Sequence, residues 1–84
     1  MKMRNIETGS EIEVAEHVMT RNFWEFYLEK PEESGIAFGL VMGAETELGY
    51  TDMNEIKPYV ISRSAPEDCE IMPAPGWEWV RLTI

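Results

Sequence analysis

Residues 36–50 of this chain read IAFGLVMGAETELGY, and this stretch decides the fold. An apolar run fills residues 36–42, and a second strand-like run follows at residues 46–50. Gly43-Ala44-Glu45 joins the two runs, and a glycine-containing connection of this length is typical of a β-hairpin. The stretch therefore predicts two consecutive strands of an antiparallel meander.

Three glycines give the first of these strands two different faces. Alternation places Gly35, Gly39 and Gly43 on one face, together with Ala37 and Val41, and leaves Ile36, Phe38, Leu40 and Met42 opposite. We expect the bulky face in the core and the smooth face against an aromatic ring or another backbone. No glycine-rich phosphate-binding pattern is present, which favours a structural role for these glycines.

Strand signals lie on both sides of this hairpin. Residues 22–29 carry period-two aromatics, with Trp24, Phe26 and Leu28 on one face, and the Pro- and Gly-containing residues 30–35 form a turn. Asp52 can cap a helical turn over residues 53–57, which Pro58 ends. Three further segments follow: a brief strand at 59–61, a turn-rich stretch at 62–76 that cannot form a central strand or a helix, and a final strand at 77–84.

The first twenty residues predict a short strand and then a helix. The strand covers residues 1–6. Ser10 and Glu13 fit a capping box, and Ile12, Ala15 and Met19 follow with helical spacing, so we expect a helix over residues 11–20. The alternation of Ile12 and Val14 leaves a strand as the alternative here.

These elements define the expected fold class. We predict α+β: one acidic domain over residues 1–84, with an antiparallel sheet of four or five strands in a meander, an N-terminal helix and a short helical turn. The predicted core consists of Trp24, Phe26, Leu28, Ile36, Phe38, Leu40, Met42, Leu48, Val80 and Leu82.

Charge narrows the class of partner. The chain has 84 residues with 16 Asp plus Glu against 7 Lys plus Arg, a formal net charge of −9. Such a surface repels nucleic acid and anionic membranes and attracts basic proteins, so we expect no direct nucleic-acid or membrane binding. No apolar run reaches the roughly 18 residues of a membrane span, and the first ten residues lack the apolar segment of a signal peptide. We expect a cytoplasmic protein of a bacterial host cell.

Candidate catalytic and metal-binding residues are few. Cys69 is the only cysteine and His17 the only histidine, which excludes an internal disulfide and a multi-cysteine zinc site. A Cys–His nucleophilic pair is conceivable, but neither residue lies in a catalytic motif. Glu13 and His17 could share a divalent ion on the predicted helix, yet two ligands are too few for a structural site. We therefore predict no enzyme, no cofactor and no metal.

Residues 23–56 resemble a small family carried on plasmids, phages and integrative elements, which has no established activity. The family shows an aromatic strand followed by an F-G-L-V-x-G-x-E-x-E-L-G-Y pattern. This chain matches it at Trp24, Phe26, Tyr27 and Glu29, then at residues 38–41, 43, 45, 47–50 and 53–56, and departs from it over residues 66–79. The resemblance implies a mobile genetic element as the source and a meander fold, and it implies nothing about catalysis.

Acidic pairs suggest a function for this charge. Glu45 and Glu47 are two residues apart, as are Glu11/Glu13 and Asp68/Glu70, and on a strand such carboxylates lie about 6.6–6.8 Å apart on one face, comparable to neighbouring phosphates. We therefore predict an inhibitor that occupies the basic groove of a nucleic-acid-handling host defence protein, a CRISPR effector or a restriction enzyme. The expected acidic face consists of Glu25, Glu29, Glu32, Glu33, Glu45, Glu47 and Asp52.

Two alternatives remain open at this stage. The charge could simply keep a small domain in solution. The chain could also be a homodimeric assembly protein with an aromatic interface formed by Trp77 and Trp79, which project together from one face of the final strand. If these two rings are instead buried, we expect them to stack on the smooth face of residues 35–43.

Overall fold

The structure, a computed structural model, describes residues 1–67 and 71–80. Within these residues the chain is mostly β-strand, with two short helical turns. The strands are β1 (Lys2–Asn5), β2 (Glu11–Glu13), β3 (Glu16–Thr20), β4 (Glu25–Leu28), β5 (Ile36–Met42), β6 (Thr46–Asp52), β7 (Val60–Ser64) and β8 (Trp77–Trp79); the helical turns are α1 (Met53–Ile56) and a 3-10 turn (Lys57–Tyr59).

The strands form two antiparallel sheets. β3, β4, β5 and β6 make the predicted meander, and β7 pairs with the outer side of β3, so the order is β6-β5-β4-β3-β7. The expectation of one sheet is wrong, because β1 pairs with both β2 and β8 to make a second sheet. This small sheet covers apolar side chains of the large one and buries Leu40 of the bulky face of β5, while Phe38 and Met42 are partly buried against the same cluster.

The predicted N-terminal helix over residues 11–20 is wrong. These residues form β2 and β3, and the alternation of Ile12 and Val14 is the signal that decides. Both side chains are buried while Glu11 and Glu13 face solvent. Ser10 does not cap a helix; its carbonyl accepts the Asn5 N–H at 2.8 Å and closes the β1–β2 hairpin. Two strands place apolar residues in both cores, whereas one helix would bury a single stripe.

The helical turn after β6 confirms the prediction. The Asp52 carboxylate accepts the Asn54 N–H at 2.9 Å, as an N-cap does. Pro58 does not end the turn, because it lies inside the 3-10 turn, where its missing N–H removes no helical hydrogen bond. The strand expected at 59–61 extends to Ser64, into the stretch predicted to be turns; β7 is an edge strand, which ends before Pro66.

Both faces of the large sheet are covered. The inner face, defined here by Tyr27 and Leu40, packs on Met3, Ile12 and the other buried residues of the small sheet. The outer face, defined by Val18, Phe26, Leu28 and Ala37, packs on α1 and on Val60. β4 is central, so three successive residues, Phe26, Tyr27 and Leu28, are buried, although alternation alone predicted one buried face.

Several predicted core residues are correct and others are not. Phe26, Leu28 and Leu40 are at most 4% exposed. Trp24 and Leu48 are 40% and 41% exposed, because Trp24 lies at the end of a hairpin and Leu48 on the edge strand β6. Four more are only partly buried: Ile36, Phe38, Met42 and Val80. Leu82 lies outside the described residues.

The tryptophans of the last strand face the core, contrary to the prediction that placed Val80 there. Trp77 is 6% exposed and packs with Tyr27 and Leu40, on the bulky face of β5 rather than on its glycine face. The Trp79 indole N–H donates to the Ile71 carbonyl at 2.8 Å. The ring that covers one of the three glycines is instead Trp24, against Gly43 in the turn that follows β5. The small sheet brings β8 to the inner face, and this decides which ring goes where.

Candidate binding surface

The tip of the β3–β4 hairpin holds an exposed aromatic residue in a strained conformation. Phe23 has φ +65° and is 77% exposed. The Phe23 N–H donates to the Thr20 carbonyl at 2.8 Å, and the Thr20 N–H donates to the Trp24 carbonyl at 3.0 Å, so the hairpin closes around residues 21–23. The left-handed region suits glycine, and a bulky residue there costs roughly 1–2 kcal/mol. The turn keeps a side chain that solvent exposure does not favour.

Trp24 lies beside this tip, and its indole ring packs directly on Gly43, which has no side chain. A Cβ atom on Gly43 would lie 2.6 Å from three atoms of the indole, so only glycine allows the ring to rest there. The Trp24 and Phe26 ring centroids are 6.4 Å apart. On the other side of the tip, the Arg21 guanidinium lies 4.8 Å from the ring centroid of Tyr59, which is 47% exposed.

A groove of about 310 Å³ opens on the outer face next to Trp24. Its lining combines aromatic and aliphatic residues with carboxylates. We call it the acid–aromatic groove and define it by Trp24, Phe26, Ile56, Glu47, Asp52 and Glu55. A smaller cavity of about 200 Å³, which shares Trp24, Phe26 and Ile56 with this groove, extends to Tyr59. A partner side chain of aliphatic stem and cationic head, such as lysine or arginine, matches this lining.

Charge is distributed unevenly along the chain around this groove. Residues 31–56 contain six Asp or Glu and no Lys or Arg, which accounts for −6 of the formal charge of −9. Arginines neutralise acids elsewhere: Arg4 bonds Glu78 at 2.6 Å and Arg63 bonds Glu16 at 2.9 Å. Within residues 1–67 and 71–80, Glu47 and Glu55 form no ion pair. Their field is therefore directed at solvent.

Three of the seven predicted acidic residues lie at or beside the groove. Glu47 and Asp52 line it, and Glu45 follows in the β5–β6 turn. Asp52 also caps α1, so its carboxylate already has one backbone donor. Glu55 was not among the predicted residues, although the charge count over residues 31–56 would have indicated it.

The other four predicted acids do not join this surface. Glu32 and Glu33 lie in the β4–β5 turn, at the opposite end of β5 from Glu45. Glu29 accepts the Glu13 N–H at 2.8 Å, and Glu25 bonds His17 at 3.0 Å. These last two carboxylates are engaged in holding strands together. The predicted acidic face is therefore divided between two ends of the sheet.

His17 is a buried residue whose contacts with Tyr27 and Glu25 link neighbouring strands. The histidine is 9% exposed, its ring centroid lies 4.7 Å from that of Tyr27, and its Nε2 contacts a Glu25 carboxylate oxygen. Burial, reinforced by the Glu25 charge, raises the pKa of Tyr27 to about 12. The i, i+4 pairing proposed for Glu13 and His17 does not exist, because the residues lie on two different strands. Cys69 lies outside the described residues.

Metal ligands do not converge in the part of the chain that the structure describes, where no three His, Cys, Asp or Glu side chains could hold an ion. Nor does any helix among the described residues have the length and apolar character needed to cross a membrane. A larger cavity of about 650 Å³ lies on the inner-face side, between the β1–β2 turn and β6; Ile6, Leu48 and Trp77 line part of it. It brings no catalytic combination of side chains together.

Sequence reasoning missed Phe23 as a surface residue. The alternation over residues 22–29 assigned it to a strand, whereas the hairpin ends there. A signal existed: Arg21 and Asn22 are polar residues between two strand-like runs, where a turn begins.

Comparison with known proteins adds no relative. No family model, no curated protein and no solved structure matches this chain.

Proposed function

We propose that this protein is a non-enzymatic acidic inhibitor that binds a basic, nucleic-acid-handling protein through the acid–aromatic groove and the hairpin tip. The observation that carries the proposal is Phe23, an exposed aromatic residue kept in a left-handed conformation next in sequence to Trp24, whose ring lines the groove together with Glu47 and Glu55. Strain at an exposed position is retained where the side chain serves a purpose other than folding.

The aromatic residues supply the anchor. Phe23 and Trp24 are adjacent in sequence and are 77% and 40% exposed at this end of the sheet. Aromatic side chains dominate the binding energy of protein interfaces because they bury a large area at a small entropy cost. Trp24 is already held in place by its seat on Gly43, which lowers that cost further.

The carboxylates supply selection for a basic partner. Glu47 and Glu55 are exposed and without ion pairs among the described residues, and Glu45 lies two positions before Glu47. Glu45 lies in the β5–β6 turn, just before the strand that carries Glu47, so with Glu55 there are three negative charges at or beside the groove. A groove that binds a nucleic-acid backbone through Lys and Arg would accept such a cluster of charge.

The biological setting follows from the resemblance over residues 23–56. A mobile genetic element benefits from blocking host defence proteins, and CRISPR effectors and restriction enzymes both bind nucleic acid in basic grooves. The proposed inhibitor acts by occupying the basic groove of its partner, a mode of action that needs neither a cofactor nor a catalytic residue.

The test uses the whole chain, immobilised, and a nuclease-treated bacterial lysate applied at low ionic strength. Retained proteins are eluted with a salt gradient and, in a parallel experiment, with duplex DNA of arbitrary sequence. We expect retained proteins to be nucleic-acid-binding, to elute at moderate salt, and to be displaced by DNA. Proteins that resist both salt and DNA would contradict binding by charge mimicry.

Matched variants separate the groove from net charge. Glu47→Gln/Glu55→Gln and Glu7→Gln/Glu13→Gln remove the same two charges, the first pair at the groove and the second pair on the β1–β2 side. The variants are compared at about 0.15 M ionic strength, where screening confines charge effects to about 8 Å. We expect the first pair to reduce retention about tenfold or more and the second pair to have a much smaller effect. Equal losses would show that the groove has no special role.

A further inference from the structure

We infer that the β6 edge binds the β6 edge of a second copy of this chain, antiparallel and with its two-fold axis at Gly49, so that two large sheets become one. The inference uses the outward backbone groups of Thr46–Asp52, a strand that also contributes Glu47 and Asp52 to the acid–aromatic groove. It does not depend on the proposed function, because its tests measure self-association in the absence of any other protein.

The backbone hydrogen bonds at the two ends of β6 show which of its backbone groups face β5 and which face away from the sheet. The Met53 N–H donates to the Gly35 carbonyl at 2.9 Å, and the Gly43 N–H donates to the Glu45 carbonyl at 3.0 Å. Both pairs continue the β5–β6 register, in which Gly39 is opposite Gly49. Hydrogen-bonded pairs alternate along antiparallel strands, so the odd-numbered residues of β6 point their N–H and C=O at β5. The even-numbered residues, Thr46, Leu48, Tyr50 and Asp52, point theirs away from the sheet.

These outward groups are self-complementary about Gly49. An antiparallel partner centred there places Leu48 opposite Tyr50 of the other copy, and Thr46 opposite Asp52. Leu48 and Tyr50 carry free donors and acceptors, so each Leu48–Tyr50 pair could exchange two hydrogen bonds. The Asp52 carbonyl is used by α1 as its N-cap, so each Thr46–Asp52 pair could form one, from the Asp52 N–H to the Thr46 carbonyl. Gly49 would face itself in a closely spaced pair, and nothing lies within 4 Å of where its Cβ would be. A strand of seven residues with its middle residue on the axis pairs along its whole length.

The side chains suit the same register. Leu48 and Tyr50 lie on one face of β6 and are 41% and 73% exposed, which is a large apolar exposure for an edge strand. In the paired arrangement each leucine packs against a tyrosine, a favourable cross-strand combination. The Tyr50 ring contacts that of Phe38, with the ring centroids 5.2 Å apart, so it already packs on this face of the sheet.

This register does not place the Glu47 side chains of the two copies directly opposite each other. Glu47 falls opposite Thr51, and the two Glu47 side chains are four residues apart along the strands, about 13 Å. This separation exceeds the screening length of about 8 Å at physiological ionic strength. The net charge of −9 on each chain still repels at long range, so added salt strengthens the association.

The strand at the opposite edge of the sheet, β7, has features that disfavour pairing with a strand of another molecule. β7 is short, its pairing with β3 is irregular between Met19 and Thr20, and Pro58 and Pro66 lie on either side of it. Irregular pairing and flanking prolines are the features that keep edges from pairing. β6 has continuous register and contains no Pro or Lys.

The first test is sedimentation velocity of the whole chain over a wide range of protein and salt concentrations. We expect the mass to rise towards twice 9.7 kDa with protein concentration, and the midpoint to fall as salt increases. In hydrogen exchange, the Leu48 and Tyr50 amides should gain protection only as the dimer forms, whereas the Glu47 and Gly49 amides are protected at all concentrations. A monomer under all conditions, or dimerisation without protection at Leu48 and Tyr50, would overturn the inference.

Charge variants test the register itself. Leu48→Glu/Tyr50→Glu places carboxylates opposite carboxylates across the axis, and Leu48→Lys/Tyr50→Lys places ammonium groups opposite one another. We expect each variant alone to be a folded monomer by circular dichroism and the equimolar mixture to form a heterodimer. Dimers of either variant alone, or a mixture that stays monomeric, would refute the register. Protection of the edge amides only when a protein from the lysate is added would assign the edge to a foreign strand instead of a second copy.

Discussion

Substitutions of Phe23 separate its effect on stability from its effect on binding. Its φ of +65° is left-handed, and its side chain is 77% exposed. We predict that Phe23→Gly is more stable than Phe23→Ala, because both variants lack the ring and only glycine relaxes the backbone. Both variants should lose binding to the retained basic proteins, since the aromatic anchor is absent in each.

The magnitude follows from three contributions. The left-handed conformation costs a residue with a Cβ roughly 1–2 kcal/mol. Glycine lowers the free energy of unfolding by about 0.4–1 kcal/mol relative to alanine, because an unfolded chain with glycine has more conformations to lose on folding. The ring itself contributes only about 0.5 kcal/mol at this exposure, and both variants lose it equally. Phe23→Gly should therefore be about 1 kcal/mol more stable than Phe23→Ala, a difference of about 4–8 °C in Tm for a domain of this size.

The assay is urea unfolding followed by tryptophan fluorescence, with equal m-values as the check that only stability has changed. Asn22 provides the control: it is the neighbouring turn residue and has no positive φ. There the order should reverse, with Asn22→Gly less stable than Asn22→Ala. If Phe23→Ala is as stable as Phe23→Gly, the backbone at residue 23 is not strained and the argument for a retained binding residue fails.

Two further predictions concern the large sheet. Gly39→Ala should destabilise by about 3 kcal/mol or more, since its Cβ would lie 2.0 Å from the Tyr27 carbonyl oxygen, whereas Gly49→Ala, with open space at its Cβ, should change stability by less than about 1 kcal/mol in the same unfolding assay. Burial and the Glu25 charge raise the pKa of Tyr27 from 10.0 to about 12, so the folded state holds the phenolic proton more tightly than the unfolded chain. That contribution is complete below pH 10 and is lost as pH rises through about 12; absorbance titration should show one late-ionising tyrosine that Tyr27→Phe removes, and an unfolding free energy that stays level through this range would contradict the assignment.

Periodicity predicted the meander well because each strand signal was local. The run at residues 36–42, the turn at residues 43–45 and the cap at Asp52 all depend on neighbours within a few positions. The N-terminal helix failed for the opposite reason. Residues 11–20 satisfy helical spacing and strand alternation alike, and the choice depends on β1 and β4, whose backbone groups take up those of β2 and β3.

The candidate surface was less predictable than the fold. The acidic residues were visible in the composition, but a sequence cannot say which carboxylates meet a partner. Glu25 is taken by His17 and Glu29 by a backbone N–H, while Glu47 is left facing solvent. These outcomes depend on cross-strand register, which sets the neighbour of every side chain.

The amino-acid sequence alone determined the meander of β4, β5 and β6, the turns at residues 30–35 and 43–45 and the acidic character, because alternation, turn chemistry and composition can be read without knowledge of distant contacts. The tertiary structure decided that Trp77 is buried and Phe23 exposed, although both are aromatic residues beside strand-like runs. The pairing of β8 with β1, across more than seventy residues, directs Trp77 into the core. Contacts between distant segments assign each side chain to core, edge or surface, and local patterns carry no information about those contacts.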